Sequence, residues 1–260
     1  MPDRLLAITG GAGRIATAVR PILRDAYRLR LADIREAADV VADVEEFIPA
    51  DVSDLAAAER VAQGADAILH LAADPSTAGS WETVRRLNLE ATYNVYEAAR
   101  RHGVGKVVFA SSNHAMGFHN LERAWPISTD APLRPDSLYG VSKAFGEALG
   151  RYFSDAFGMS VICIRIGWFT PRTPNHPQLN PLWISARDLA QLFSLALATE
   201  RKFGIYNGTS NNPQRHWDLT SGRDELGFEP RDDVSVYPTD GTATSPYVDP
   251  QAGVLRGLSA

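Results

Sequence analysis

Tyr139-Gly140-Val141-Ser142-Lys143 sets a phenol and an amine four residues apart. On a helix that spacing puts both side chains on one face, one turn apart. A free tyrosine, with a pKa of about 10, is a poor base at neutral pH. A neighbouring ammonium favours the phenolate and lowers that value, and the pair can then take a proton from an alcohol. Ser111-Ser112-Asn113-His114 stands upstream, directly after the apolar run Lys106–Ala110, which places Ser112 to hydrogen-bond the oxygen that reacts. Tyr-x-x-x-Lys and a serine pair are each common by chance, so their weight depends on the elements that carry them.

Those elements alternate. Apolar runs at Leu5–Thr9, Tyr27–Ala32, Glu46–Pro49, Ala67–Ala72, Lys106–Ala110 and Ser160–Ile166 predict strands. Between them, helical periodicity predicts helices from about Arg14, over Trp81–His102 and over Leu138–Phe157, with Ala186–Ala198 after the last strand. Ser53 and Asp54 are candidate caps for a helix that follows them, and Ser185 for the last one. Strands alternating with helices imply an α/β fold, a Rossmann-type doubly wound parallel sheet. Pro171, Pro174, Pro177 and Pro181 then break the pattern, and the tail from about Asn207 shows little periodicity. The expected organisation is a core over residues 1–167 carrying cofactor and catalytic groups. Residues 168–260 are expected to form a small C-terminal substrate-binding region of covering loops, helix 186–198 and a tail, packed on the core. Ligands of such sheets bind beyond the carboxyl ends of the strands.

The first turn strengthens this reading. Gly10-Gly11-Ala12-Gly13-Arg14-Ile15-Ala16 follows a strand and opens a helix. Gly10 permits the tight turn, Gly13 admits a pyrophosphate close to the backbone, and Ala16 allows close helix–sheet packing. The helix start, with Arg14 and Ile15, offers unpaired N–H groups to phosphate. Asp33 ends the second strand 20 residues after Gly13, where an acid accepts hydrogen bonds from ribose hydroxyls and repels a 2′-phosphate. NAD is therefore expected over NADP, with Arg35 as the one residue pulling the other way.

Composition narrows the remaining classes. The 260 residues are 45% hydrophobic and 22% charged, ordinary for a soluble globular chain. A net charge of −5 gives no basic footing for nucleic acid. Neither a secretory leader nor an 18-residue apolar span is read from the chain, so a cytoplasmic protein is expected. Cys163, the single cysteine, excludes an internal disulfide and reads as a core thiol. His114 and His119 have no metal-ligating company, and no metal is expected. His70 reads as a core histidine. Trp168 and Trp183 each read either as a sugar-stacking ring or as core.

Taken together, Phe109-Ala110-Ser111-Ser112-Asn113-His114, Leu138-Tyr139-Gly140-Val141-Ser142-Lys143 and Arg165-Ile166-Gly167 resemble the extended short-chain dehydrogenase/reductase family. Within it they are similar to the uronate dehydrogenase branch of sugar 1-dehydrogenases. The resemblance implies Tyr139 as general base, Lys143 as its activator and ribose ligand, and Ser112 as substrate hydrogen-bonder. It implies Asp51, Val52, Leu71, Ala72, Ala73, Asn88, Ser111 and Ile166 around the cofactor, Asn88 being also an asparagine that supports the site, and Asn113 and His114 at the substrate. The implied reaction is oxidation of a cyclic sugar at C1 to a lactone, with hydride passing to NAD. The chain departs from the branch in three places: Pro177 or Gln178 stands where an arginine meets the substrate carboxylate, Trp168 replaces a serine, and Asp74-Pro75-Ser76 replaces a serine-containing segment. Trp168, Arg172, His176 and Gln178 are accordingly the expected substrate contacts, Arg172 receiving a C6 carboxylate, phosphate or sulfonate. A nucleotide-sugar epimerase shares the fold, the NAD and the Tyr/Lys pair and remains the alternative. A homo-oligomer is implied by the family only.

Overall fold

The computed structural model describes residues 2–172, 174, 176 and 179–237; Gln178, among the expected substrate contacts, lies outside them, as do Pro177 and residues 238–260. The chain opens with β1 (Leu5–Thr9), α1 (Arg14–Leu23), β2 (Arg28–Asp33), β3 (Glu45–Pro49), α2 (Leu55–Ala62) and β4 (Ala67–His70). It continues through α3 (Trp81–Val84), a π-helical turn at Arg85–Glu90, α4 (Ala91–Arg101), β5 (Lys106–Ser112), a 3-10 turn at Asn113–Met116, α5 (Gly117–Leu121) and α6 (Leu138–Phe157). Then follow β6 (Ser160–Ile166), β7 (Trp168–Phe169), β8 (Trp183–Ile184), α7 (Ala186–Ala198), β9 (Phe203–Gly208) and α8 (Thr220–Leu226).

Seven strands form one sheet in the order β3-β2-β1-β4-β5-β6-β9, each pair parallel. Parallel pairing needs a crossover for every strand, and the crossovers cover both faces. One face is packed by Val19 and Leu23 of α1 and by Leu189, Leu192 and Phe193 of α7. The other is packed by Ala57 and Val61 of α2, Val95 of α4 and Phe153 of α6. Strands buried on both sides read as unbroken apolar runs, which is why β1 and β6 are buried along their full length. The order reverses between β1 and β4, opening a crevice above their carboxyl ends.

One close contact sets the height of α6, the helix that carries Tyr139 and Lys143. A methyl group added at Gly146 would stand 2.2 Å from the Phe109 ring on β5, so only glycine lets the helix lie this close to the sheet. At its start the Ser137 hydroxyl accepts from the Gly140 N–H at 3.0 Å, and Gly158 ends it in the left-handed conformation.

The predicted elements are present, but the fifth strand runs on through Ser111 and Ser112, expected to follow it, and three further differences stand out. The helix expected over Trp81–His102 is interrupted by the π turn and ends at Arg101. The fourth strand stops at His70, so Leu71 and Ala72 belong to the loop beyond it. The tail expected to be loop from Asn207 contains the end of β9 and all of α8. Phe203-Gly204-Ile205-Tyr206-Asn207-Gly208 has two glycines and an asparagine in six residues, as an edge strand tolerates, and so lacks the apolar run of a central strand. Asp54 and Ser185 cap α2 and α7. Cys163 and His70 are core, the latter between the Thr9 and Thr92 hydroxyls at 2.7 and 3.2 Å.

Candidate active site

A cleft of about 1010 Å³ lies above the carboxyl ends of the central strands. Its lining gathers residues separated by most of the chain: Gly10 and Asp33 from the first two strands, Ser112 from β5, Tyr139 and Lys143 from α6, and Ile166 from β6.

The N-terminal end is built for an anion. Gly10 sits at φ +70°, and a side chain there would come within 2.8 Å of the Ala72 N–H nitrogen. That turn brings the start of α1 to the cleft, where Gly13 is the N-cap and supplies no side-chain acceptor. The orphan N–H groups of a first turn carry positive partial charge, and Gly13, Arg14 and Ile15 line the cleft there. Asp33 is buried. Its carboxylate accepts from the Ala12 N–H at 3.1 Å and the Arg35 N–H at 2.9 Å, and the Arg35 Nε lies 3.7 Å away. Asp51, Val52, Leu71, Ala72, Ala73 and Ser111 complete this end. Asp51 also pairs with Arg86 at 2.9 Å, and with the Ser53 bonds this holds its carboxyl below the usual range against the opposing effect of burial. An anion-binding helix start, a buried acid and small residues between them suit a dinucleotide.

At the other end, Lys143 is 4% exposed, its Nζ 5.0 Å from the Phe109 ring centre and 5.5 Å from that of Tyr139. Burial pushes Lys143 down to about 7. Tyr139 reaches the cleft surface, yet removal from water pushes it up to about 12, with Asp74 and Asp136 adding to the rise and Ser112 and Arg14 opposing it. The expectation that the ammonium lowers the tyrosine therefore does not describe the cofactor-free protein. Burial penalises each charge singly, and a lysine near 7 is only partly charged at neutral pH. The charged forms offset each other only when phenolate and ammonium exist together.

Ser112 accepts from the His114 N–H at 3.2 Å and donates to the Asn113 Oδ1 at 3.1 Å. The His114 ring meets Tyr139 edge to face at 5.6 Å. Its Nδ1 lies 2.9 and 3.0 Å from the two Asp136 carboxylate oxygens, which favours a proton on Nδ1. Asp136, 4% exposed, has no signature in the sequence. It lies 22 residues from His114 in a proline-containing loop, and only the fold brings them together.

The structure separates the other expected contacts. Trp168 lines the cleft, whereas Trp183 is 4% exposed and belongs to the core. Asn88 is buried outside the lining, behind Asp74 and Ser142. His176 packs edge to face on Trp168 at 6.2 Å without reaching the lining. Arg172 is exposed and also outside the lining; the Thr170 hydroxyl accepts its N–H at 3.2 Å, and the turn carries it to the surface. Among the described residues no group of three or more His, Cys, Asp or Glu could hold a metal ion, and no helix is long and apolar enough to cross a membrane.

Comparison with known proteins agrees with this geometry. Residues 6–180 match the model of the NAD dependent epimerase/dehydratase family. The chain is 34% identical over 256 residues to an NAD-dependent glucose-6-phosphate dehydrogenase of Haloferax volcanii, covering 92% of this chain and 97% of that one. It is 37% identical over 238 residues to a uronate dehydrogenase of Pseudomonas syringae, covering 91% and 85% respectively. The structure of a glucuronic acid dehydrogenase from Chromohalobacter salexigens superposes with a TM-score of 0.86 at 32% identity, over 99% of this chain and 97% of that one. The chain belongs to the NAD dependent epimerase/dehydratase family.

Proposed function

We propose that the protein is an NAD-dependent sugar 1-dehydrogenase of the uronate dehydrogenase-like branch, oxidising C1 of an aldopyranose to the aldonolactone. The observation that carries this reading is the single cleft joining the start of α1 and Asp33 to Ser112, Tyr139 and Lys143. Gly10, Gly13, Arg14 and Ile15 would hold the pyrophosphate, and Asp33 the adenosine ribose. Asp51, Val52, Leu71, Ala72, Ala73, Ser111 and Ile166 would enclose the rest. When bound, NAD supplies the acceptor for the hydride that leaves C1. Tyr139, as phenolate, takes the proton of the C1 hydroxyl, and Lys143 balances that charge and would hold the neighbouring ribose. Ser112 holds the oxygen as it becomes a carbonyl, and Asn113 and His114 fix the ring. Trp168, Phe169 and Leu179, which line the cleft, would cover the substrate.

Asp33 supports NAD over NADP, because its carboxylate would face a 2′-phosphate. The epimerase alternative recycles its cofactor, whereas the dehydrogenase accumulates NADH. The relatives at 34% and 37% identity are both dehydrogenases, which favours net oxidation. Exposed apolar residues on α4 and α6, Tyr93, Val141 and Tyr152, fit a second copy of the chain, and a homo-oligomer belongs to the same reading.

The test is NADH absorbance with purified protein, NAD and a panel of neutral and acidic aldoses. Tyr139→Phe should lose about 10²–10⁴-fold in turnover while NAD binding, read by calorimetry, stays within a fewfold. Retained turnover in Tyr139→Phe overturns the mechanism, and absence of NADH with every sugar overturns the reading.

A further inference from the structure

His114 is held by its backbone and by its ring. Its N–H donates to the Ser112 hydroxyl at 3.2 Å, and its carbonyl accepts the Asp136 N–H at 3.3 Å. Its ring meets Tyr139 edge to face, and its Nδ1 meets both oxygens of Asp136. The His114 side chain is 14% exposed and that of Asp136 1%. The histidine lines the cleft, whereas the aspartate is outside the lining.

The fold makes room for that aspartate. A methyl group added at Gly117 would overlap its carboxylate, so glycine is needed where the next turn passes it. The Ser137 hydroxyl donates to its Oδ1 at 3.0 Å, which fixes the carboxylate from the side away from the ring. Its charge does not help the base: burial raises the Tyr139 phenol, and Asp74 and Asp136 add to the rise. The contact through which Asp136 reaches the cleft is the His114 ring. A neutral imidazole carries one proton; the nitrogen that holds it donates and the other accepts. A carboxylate only accepts, so beside Nδ1 it draws the proton to that atom, and Nε2 becomes the accepting atom of the ring.

We infer that Asp136 is a positioning residue of the reaction: by taking the Nδ1 proton of His114 it fixes the tautomer whose Nε2 accepts a hydrogen bond from a sugar hydroxyl other than the one at C1. The inference rests on the sugar dehydrogenase reading above and adds the residue that sets the polarity of its His114 contact.

Three measurements test it. Nitrogen NMR of histidine-labelled protein reads the ring at mildly alkaline pH, where an ordinary imidazole is neutral; His114 is assigned by its loss in His114→Ala. The wild type should carry the proton on Nδ1. Asp136→Asn, whose amide nitrogen can donate to Nδ1, should move it toward Nε2. In NADH rates, Asp136→Asn should lower kcat/KM about tenfold to a hundredfold, the range for a buried polar group left facing the wrong partner. In the His114→Ala background the same substitution should cost less than about twofold, because its effect passes through the ring. NAD affinity, read by calorimetry, should stay within a fewfold. Across a series of monodeoxy aldoses, the loss in Asp136→Asn should shrink for the sugar that lacks the contacted hydroxyl. A wild-type ring protonated on Nε2, alone or together with Nδ1, overturns the inference, as does a tautomer unchanged in Asp136→Asn. An undiminished cost in the His114→Ala background, or an equal loss for every monodeoxy sugar, does the same. Loss of NAD affinity in step with turnover assigns Asp136 to the fold and also overturns it. Absence of NADH with every sugar overturns the dehydrogenase reading, and the NMR measurement still decides whether Asp136 sets the ring.

Discussion

Asn88 holds Asp74 by its two backbone groups, accepting the N–H at 2.9 Å and donating to the carbonyl at 3.0 Å, as a neighbouring strand would. The same amide nitrogen lies 3.1 Å from the Ser142 hydroxyl, which donates to the Tyr139 carbonyl at 2.7 Å. One buried side chain thus ties the loop after β4 to the first turn of α6. Asn88 falls within the π turn at Arg85–Glu90, and such widened turns recur where a helix must aim a side chain at a site.

Asn88→Ala should therefore act at a distance. It leaves an N–H and a carbonyl of Asp74 without partners, at a cost of about 1–3 kcal/mol for each group that stays dry. It also frees the loop and the start of α6 to shift. We expect kcat to fall about 10- to 100-fold, the scale of an ångström of misplacement, with NAD affinity nearly unchanged. Steady-state kinetics with calorimetric NAD titration checks this. A lower melting temperature with kcat intact would assign Asn88 to stability alone.

Asp33 should govern the choice of dinucleotide. Its two oxygens are held by the Ala12 and Arg35 N–H groups, so the carboxylate is aimed before any ligand arrives. Asp33→Ser should weaken NAD by about 10- to 100-fold, the worth of hydrogen bonds to a charged acceptor. It should weaken NADP less, because Arg35, whose Nε lies 3.7 Å from the Asp33 carboxylate, would remain to meet a 2′-phosphate. The ratio of kcat/KM for the two cofactors is the measurement, and a ratio that does not change would remove Asp33 from specificity.

These residues were not equally legible in the sequence. Gly10, Asp33, Ser112, Tyr139 and Lys143 announce themselves because each stands at the end of a strand or in the first turns of a helix, and local pattern reports local structure. The limits of α6, β6 and α7 follow from helical periodicity over Leu138–Phe157, from an unbroken apolar run, and from Ser185. Asp136 and Asp74 have no such marker, since what they do depends on neighbours that only tertiary contact supplies. The β9 strand was hidden by its glycines, and the outward turn at Arg172 by the lack of periodicity after Gly167. The signs of the Tyr139 and Lys143 shifts were also out of reach: spacing gives adjacency, whereas burial decides which effect wins.

Lys143 should leave its mark on stability. Burial sets it at about 7 in the folded, cofactor-free protein, against an ordinary value of 10.5. Between those values the unfolded chain holds the extra proton, so stability rises as pH climbs from about 7 toward 10. Above 10 the trend is opposed by Tyr139, whose folded value is raised to about 12. Lys143→Met should flatten the rise between 7 and 10. Melting temperature against pH for both proteins checks this, and parallel curves would show that Lys143 keeps its proton in the fold.

Glu147 and Arg165 pose a sharper question, because both side chains are 2% exposed. Arg165 donates to the two Glu147 oxygens at 2.9 and 2.8 Å, and Ser111 donates to Oε1 at 2.6 Å. The cluster joins α6 to the ends of β5 and β6 through Ser111, the chain neighbour of Ser112. Removing one partner leaves a buried charge alone, so Arg165→Met should cost about 3–5 kcal/mol. That corresponds to a melting temperature lower by roughly 10 °C for a chain of this size. Replacing both charges, Glu147→Leu with Arg165→Met, should recover most of that stability, because the desolvation cost of the pair disappears with its attraction. The double variant should still turn over slowly, since Ser111 loses its acceptor and the end of β5 its anchor. Recovery of both stability and rate would make the pair dispensable packing. Recovery of stability without rate would mean that the buried charges are kept to hold the catalytic strand and helix in register.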